Sequence, residues 1–209
     1  IFEHLLFDGS KNIPTGGWDE IISTRGGQNN ANTSQDRTYY YELFPSNNLE
    51  LGLWLESERL LHPTISQNAL DREIEVVKEE RRLRYDNSPY GQLLPVLGET
   101  LFENHPYKDP NIGYMADLEQ ATLEDVRAYN KKYYVPNNAV LVVAGDIDIA
   151  KTKNLVEQYF GPIPRGGEIV RNFPEETPIT QEIRTEAYDP NIQIPAALVA
   201  YRTPGFRNR

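Results

Sequence analysis

The stretch Leu70–Arg84 reads LDREIEVVKEERRLR and contains the most informative pattern in the chain. If it is helical, five positions recur at helical spacing and lie on one face: Leu70, Glu73, Val77, Glu80 and Arg84. Two carboxylates then share a face with apolar side chains. We therefore predict a helix from about residue 67 to residue 85 whose apolar face carries Glu73 and Glu80.

Two interpretations of these carboxylates remain open. A carboxylate turned toward a protein core costs free energy unless it is paired with a cation or binds a metal ion. In the first interpretation Glu73 or Glu80 pairs with Arg81 or Arg84 on an ordinary charged helix, and the periodicity alone favours this one. In the second interpretation the two carboxylates belong to a metal site.

The opening residues, IFEHLLFDGS, predict a second amphipathic helix, with apolar positions at helical spacing and a stop at Gly9. It carries the pair Glu3-His4. Such a pair usually lies on the protein surface. A metal site would need a second histidine four residues before His4, so that two imidazoles one helical turn apart face one ion. That position lies just before Ile1.

Composition limits the possible functions. The 209 residues are 39% hydrophobic and 25% charged, which is typical of a soluble globular protein. The longest apolar run, AVLVVAG from Ala139, has the length of a strand, so no membrane span is predicted. The net charge of −10 argues against nucleic acid as a partner. Because the chain contains no cysteine, His, Asp or Glu must hold any metal ion.

The remaining elements alternate between helices and strands. Side-chain patterns predict helices near residues 18–22, 49–61, 89–103, 122–134 and 151–160, and strands at 37–44, 137–146 and 192–205. The polar stretch QNNANTS (28–34) reads as a loop on composition alone. A segment rich in Pro, Gly and Glu begins at Gly161 and indicates an exposed connector.

These patterns predict a domain order. Residues 1–165 form most of a first α/β domain, residues 166–190 form a linker, and residues 191–209 begin a second α/β domain. The first domain contains both carboxylate-bearing helices, so any site built from them belongs to it.

Five motifs occur in order along the chain: E-H-L-L-F-x-G-S, G-G-x-x-N-A-x-T-S, T-x-Y-Y, E-x-x-V-V-x-x-E and Y-V-P-N-N-A-V-L-V-V-A-G-D. Together they resemble the pitrilysin/insulinase family of zinc metallopeptidases, the inverzincins, whose metal helix reads H-x-x-E-H. The likeness is strongest to bacterial zinc proteases and to the halves of mitochondrial processing peptidase. It implies a mixed, largely antiparallel sheet with helices packed on it, that is, an α/β (α+β) fold. It also implies that the first domain, residues 1–165, lacks the family's N-terminal strands.

The resemblance implies a role for each matching residue. His4 matches the second histidine ligand of a Zn²⁺ ion, and Glu80 matches the distal glutamate ligand. Glu3 matches the catalytic general base, which takes a proton from a water molecule on the zinc. Glu73 matches a second glutamate that supports the site without being counted as a ligand. With the histidine expected before Ile1, these residues would form a two-His, one-Glu site.

The resemblance also implies partners. Asn30, Ala31 and Thr33 match an edge strand that takes the substrate peptide by backbone pairing. A second homologous half, on the same chain or a separate subunit, would complete the substrate chamber. A location in the bacterial cell envelope is expected from the likeness to secreted proteases.

Two alternatives to a zinc endopeptidase remain. The chain is an inactive half that scaffolds or binds peptide beside a catalytic partner, or it is a carboxylate-rich binding module outside this family.

Overall fold

The computed structural model describes residues 1–205 and contains both helices and an antiparallel sheet. The elements, in chain order, are α1 (Phe2–Asp8), α2 (Gly17–Thr24), β1 (Gln28–Ser34), β2 (Arg37–Leu43), α3 (Leu49–Leu61), α4 (Gln67–Arg81), α5 (Leu93–Leu101), α6 (Met115–Gln120), α7 (Leu123–Tyr133) and α8 (Ile149–Phe160). The prediction of a mixed α/β fold is confirmed.

The chain forms two compact units, and the first comprises residues 1–74 and 120–170. Its apolar side chains form two clusters. One joins α1, α4 and α7 and contains Leu5, Ala69, Leu70 and Val126. The other contains Ile13, Trp18, Ile22 and Leu55, and Phe7 of α1 packs against it. Helix α1 therefore contacts both clusters, and each large side chain buried there contributes about 1.5–3 kcal/mol to stability.

Strands β1 and β2 form an antiparallel hairpin in which Gln28 pairs with Leu43 and Ser34 pairs with Arg37. Strand β1 is the QNNANTS stretch, which composition alone assigns to a loop and which the family resemblance assigns to a strand. The structure agrees with the resemblance. The ladder hydrogen bonds to β2 compensate for the poor strand propensity of asparagine, since propensity is readily overridden by pairing.

The second unit comprises residues 75–119 and 171–209, of which the described part ends at residue 205. Helix α5 begins at Leu93, so Pro95 lies in its first turn, where no helical hydrogen bond is lost. Glu176 accepts hydrogen bonds from the backbone N–H groups of Glu103, Asn104 and His105. These bonds fasten the extended segment after residue 171 to the loop that follows α5.

Two predicted strands are wrong. The structure assigns no strand to 137–146 or to the described part of the C-terminal segment, and Val140, Val142 and Val199 are at least 76% exposed. Apolar composition favours a strand, but a strand also needs a hydrogen-bonded neighbour. Within residues 1–205 the sheet contains only β1 and β2. The predicted domain boundaries stay a prediction, and residues 206–209 of the predicted second domain lie outside the described residues.

Among the described residues, no helix combines the length and the apolar character needed to cross a membrane.

Candidate functional site

Helix α1 presents its two functional candidates on the side opposite the core. Leu5 and Leu6 are 0% and 1% exposed, because both pack into the interior of the first unit. Glu3 and His4 are only partly buried. The helix ends at Gly9, which has a φ of 154° and whose Cβ would meet the carbonyl oxygen of Ile13 at 2.6 Å. Glycine is required at this close approach, so α1 stops one turn after His4.

The structure brings His4 next to Glu73. Nδ1 of His4 lies 3.2 Å from Oε2 of Glu73, whose side chain is 13% exposed. Glu73 lies one turn after Leu70 on α4, and Leu70 packs in the same cluster as Leu5 of α1. The shared cluster therefore fixes the spacing between the histidine and the carboxylate.

An ion pair with Arg72 extends this contact. Nε of Arg72 donates to Oε1 of Glu73 at 3.1 Å, and Nη2 of Arg72 donates to Oδ1 of Asp8. Desolvation lowers the pKa of the Arg72 guanidinium. The hydrogen bonds and negative charges of Glu73 and Asp8 outweigh this effect, so the pKa is raised overall. The sequence analysis did not identify Asp8 or Arg72. Their positions in the sequence could have identified them, since Asp8 lies one helical turn after His4 and Arg72 directly precedes Glu73.

These side chains line one cleft in the first unit, with a volume of about 470 Å³. Its lining residues are Glu3, His4, Phe7, Asp8, Thr15, Gly16, Asn30, Arg72 and Glu73. Three of the nine are carboxylates and one is an arginine. The cleft therefore offers both acidic groups and an imidazole to a ligand.

Strand β1 approaches the cleft from the hairpin. Asn30 lines it, and the hydroxyl of Thr33 donates to Oε2 of Glu3 at 2.5 Å. Ala31 lies between them on β1 and pairs with Tyr40 of β2. Within the described part of the chain β2 is the one neighbour of β1, so the opposite edge of β1 faces no other strand there.

Glu80 lies on α4 two turns after Glu73, in the second compact unit. The predicted helical face is present: Leu70 and Val77 are 0% and 2% exposed, and the Glu80 side chain is 24% exposed. Oε1 of Glu80 lies 3.1 Å from Nη1 of Arg84. This is the ion pair that the first interpretation of the helix predicted.

The donor types of the site match a zinc ion, because imidazole and carboxylate groups are its usual ligands besides thiolate. Among residues 1–205, however, no group of three or more His, Asp or Glu side chains is arranged to hold a metal ion. A zinc ion at this cleft would therefore need a further ligand besides these side chains.

A buried arginine supports α1 from behind the cleft. Arg59 of α3 is 3% exposed and donates from Nη1 to the carbonyl oxygen of Leu6 at 2.6 Å. Its guanidinium carbon lies 4.4–4.7 Å from the ring centroids of Phe7, Trp18 and Tyr40. Sequence analysis missed Arg59, although a charged residue inside an apolar helix such as LWLESERLL is a signal for a buried ion pair.

Two acidic side chains lie next to this arginine. Nε of Arg59 donates to Oε2 of Glu56 at 3.0 Å, and Nη2 lies 3.6 Å from Oε1 of Glu42. Burial, followed by the negative charge of Glu56, raises the pKa of Glu42 to about 8. Burial also raises the pKa of Tyr40, whose hydroxyl contacts the carbonyl oxygen of Phe2.

Comparison with known proteins identifies the chain's relatives. Residues 1–113 match the family described as insulinase (peptidase family M16), and residues 120–209 match the family described as the peptidase M16 inactive domain. The zinc protease PqqE of Helicobacter pylori is 31% identical over 100% of this chain and 48% of its own length. The mitochondrial-processing peptidase subunit beta of Blastocladiella emersonii is 29% identical over 78% of this chain and 35% of its own length.

The fold agrees with these similarities. A crystal structure of a protease from Helicobacter pylori superimposes with a TM-score of 0.78 and 34% identity, over 84% of this chain and 43% of that one. The chain thus spans about half the length, or less, of the relatives it matches. Since the insulinase match covers more than half of the 209 residues and includes the cleft, the chain belongs to the insulinase (M16) family of peptidases.

Proposed function

We propose that this chain is the metal-binding part of a zinc-dependent endopeptidase that hydrolyses peptides or unfolded protein segments. The observation that supports the proposal best is the grouping of Glu3, His4 and Glu73 around one cleft beside strand β1. In this proposal His4 and Glu80 are zinc ligands, and a histidine before Ile1 completes the set.

Bound zinc supplies a Lewis acid that polarises the scissile carbonyl and makes water more acidic. Glu3 is the general base in this proposal: its carboxylate accepts a proton from the attacking water and later donates it to the leaving amine. Glu73 accepts a hydrogen bond from Nδ1 of His4 and so fixes the orientation of the imidazole. Arg72 holds Glu73 in place from the other side.

Strand β1 binds the substrate in this proposal. An extended peptide can add to a free sheet edge through backbone hydrogen bonds. Asn30 and Ala31 lie on β1 and provide such an edge next to Glu3 and His4. A second homologous half encloses the peptide, on the same chain or as a separate subunit. One relative is itself named as the beta subunit of a processing peptidase, which supports this arrangement.

The alternative is an inactive half that binds peptide beside a catalytic partner. One observation favours it: residues 120–209 match a family described as the peptidase M16 inactive domain. In that case the intact protein would contain no zinc at this cleft. Glu80 would then act through its ion pair with Arg84.

The test compares the intact parent with Glu3→Gln. We expect both to contain about one zinc per site by elemental mass spectrometry, and only the parent to cleave an internally quenched peptide drawn from a mixed-sequence library. Glu20→Gln, on the exposed side of α2, is the matched control and should cleave as the parent does. An intact parent without zinc or activity supports the inactive half. A Glu3→Gln variant with undiminished turnover removes Glu3 from its proposed role.

A further inference from the structure

Thr33 contacts the proposed general base directly. Its hydroxyl donates to Oε2 of Glu3 at 2.5 Å, and the two residues are 30 positions apart in the chain. A hydrogen bond to an ionised carboxylate is stronger than one between neutral groups, and it fixes the torsion angles of the side chain that accepts it. Glutamate has three rotatable side-chain bonds, so this contact limits where the carboxylate can go.

Thr38 supports Thr33 from the neighbouring strand. The two threonines are paired in the register of the hairpin, and their hydroxyl oxygens lie 3.5 Å apart. A threonine hydroxyl has one proton to donate. Because Thr33 gives its proton to Glu3, only the hydroxyl of Thr38 could donate between the two. The contacts thus run from β2 through β1 to α1.

The contact leaves the carboxylate able to accept a proton. An ionised carboxylate has two oxygens and about four acceptor positions, and Thr33 occupies one of them on Oε2. Oε1 retains its own lone pairs for a proton from water. The hydrogen bond therefore restrains Glu3 without using its basic capacity.

From this geometry we propose that Thr33 is a positioning residue for Glu3, which it holds in the orientation needed for proton transfer. This inference rests on the proposed function. It assigns the side chain of Thr33 a role distinct from the backbone pairing expected of β1. One strand then aligns both reactants, since Asn30 and Ala31 lie on the peptide-binding edge and Thr33 orients the base.

The experiment uses two substitutions of Thr33 in the intact protein. Thr33→Val keeps the shape and removes the hydroxyl, whereas Thr33→Ser keeps the hydroxyl. We expect Thr33→Val to lower kcat by about 10-fold to 100-fold with KM unchanged, because a misplaced catalytic group costs rate rather than binding. Thr33→Ser should recover most of the lost kcat. Glu3 is half-buried and Thr33 is exposed, so Thr33→Val leaves the apolar core of the first unit untouched.

A matched control and a double variant separate this role from others. Ser34→Ala removes the adjacent hydroxyl, which contacts the carbonyl oxygen of Arg37, and should leave kcat at the parental value. In the Glu3→Gln background, Thr33→Val should change neither the residual rate nor the Kd for the same peptide, measured by fluorescence anisotropy. A raised KM or Kd with kcat unchanged would make Thr33 a substrate contact and overturn the inference. An equal loss of rate with and without the Glu3 carboxylate would also overturn it.

One readout does not depend on catalysis. Crystal structures of the intact parent and of Thr33→Val, both without metal, should show Glu3 in a single rotamer in the parent and in several in the variant. A Glu3 side chain equally ordered in both would contradict the proposal even in a protein with no peptidase activity. If the parent shows the ordered contact but no activity, the proposed function fails while the positioning of Glu3 stands.

Discussion

Nδ1 of His4 and Oε2 of Glu73 lie 3.2 Å apart, although 69 residues separate them in the chain. The contact is possible because Leu5 and Leu70 pack in one apolar cluster and hold α1 against α4. When Nδ1 of a neutral imidazole carries the proton and donates it to a carboxylate, the ring lone pair is on Nε2. This arrangement, a carboxylate behind a histidine ligand, is common at zinc sites in proteins.

Glu73→Gln should weaken zinc binding. The amide preserves the size of the side chain but removes the charge that strengthens His4 as a ligand, and losing such a partner typically lowers metal affinity about 10-fold to 100-fold. Competition with a chromophoric chelator, using the intact protein, measures the change. Glu75→Gln is the control, since that side chain is 66% exposed on the same helix and pairs with Lys78. Equal zinc affinity in the parent and Glu73→Gln would contradict the supporting role.

Glu80→Gln should weaken zinc binding further and abolish activity, because it removes a proposed ligand rather than its support. The competing explanation is the ion pair with Arg84, whose side chain is 72% exposed and which is therefore worth at most about 1 kcal/mol. Arg84→Ala breaks that pair and should leave zinc affinity unchanged. Glu79→Gln is the second control, since the Glu79 side chain is 57% exposed, and it should also leave zinc affinity unchanged. If Glu80→Gln holds zinc as tightly as the parent, Glu80 is not a ligand.

Local patterns predicted the helices of the site, and long-range contacts explain what they missed. The face of α4 that carries Leu70, Glu73 and Val77 follows from helical periodicity, which is a property of neighbouring residues. The hydrogen bond between Arg72 and Asp8 joins residues 64 positions apart, so no local pattern indicates it. A local pattern can indicate that Arg59 is buried, but it cannot identify the carbonyl oxygen of Leu6, 53 positions away, as the acceptor of its hydrogen bond.

The errors in strand prediction also arise from long-range contacts. The stretch QNNANTS forms a strand because β2 supplies its hydrogen bonds, whereas VLVVAG has strand-forming residues but no strand neighbour within residues 1–205. Strand formation depends on pairing at least as much as on composition. The family resemblance identified β1 correctly because it draws on proteins in which that pairing exists. Amino-acid composition alone contains no information about which strands pair.

Arg59→Met should destabilise the first unit strongly. The substitution fills a similar volume, but it leaves the carboxylate of Glu56 without its cation and the carbonyl oxygen of Leu6 without its donor. Removing one partner of a buried ion pair typically costs about 3–5 kcal/mol. Chemical denaturation measures the change. Arg82→Met, at an exposed pair with Glu79, should cost no more than about 1 kcal/mol. Similar losses from the two substitutions would show that Arg59 is not an important support for α1.

Glu42 should make stability fall as pH rises. Its side chain is 4% exposed, and burial is the main reason that its pKa is raised from an ordinary value of 4.5 to about 8. Below pH 4.5 the residue is protonated in both the folded and the unfolded chain, so it imposes no cost. Between 4.5 and 8 the folded state retains a proton that the unfolded state has released, and the free energy of unfolding therefore decreases through that window.

Glu42→Gln removes the titration and keeps an acceptor for the indole N–H of Trp18, which donates to Oε1 of Glu42 in the parent. We therefore expect the variant to gain stability relative to the parent on going from pH 5 to pH 8, with the two unfolding curves closest at the acidic end. Urea denaturation at several pH values measures the difference directly. Glu20→Gln, at an exposed carboxylate on α2, should track the parent at every pH. A difference between Glu42→Gln and the parent that does not vary with pH would mean that Glu42 is already ionised in the folded protein, with Arg59 compensating fully for its burial.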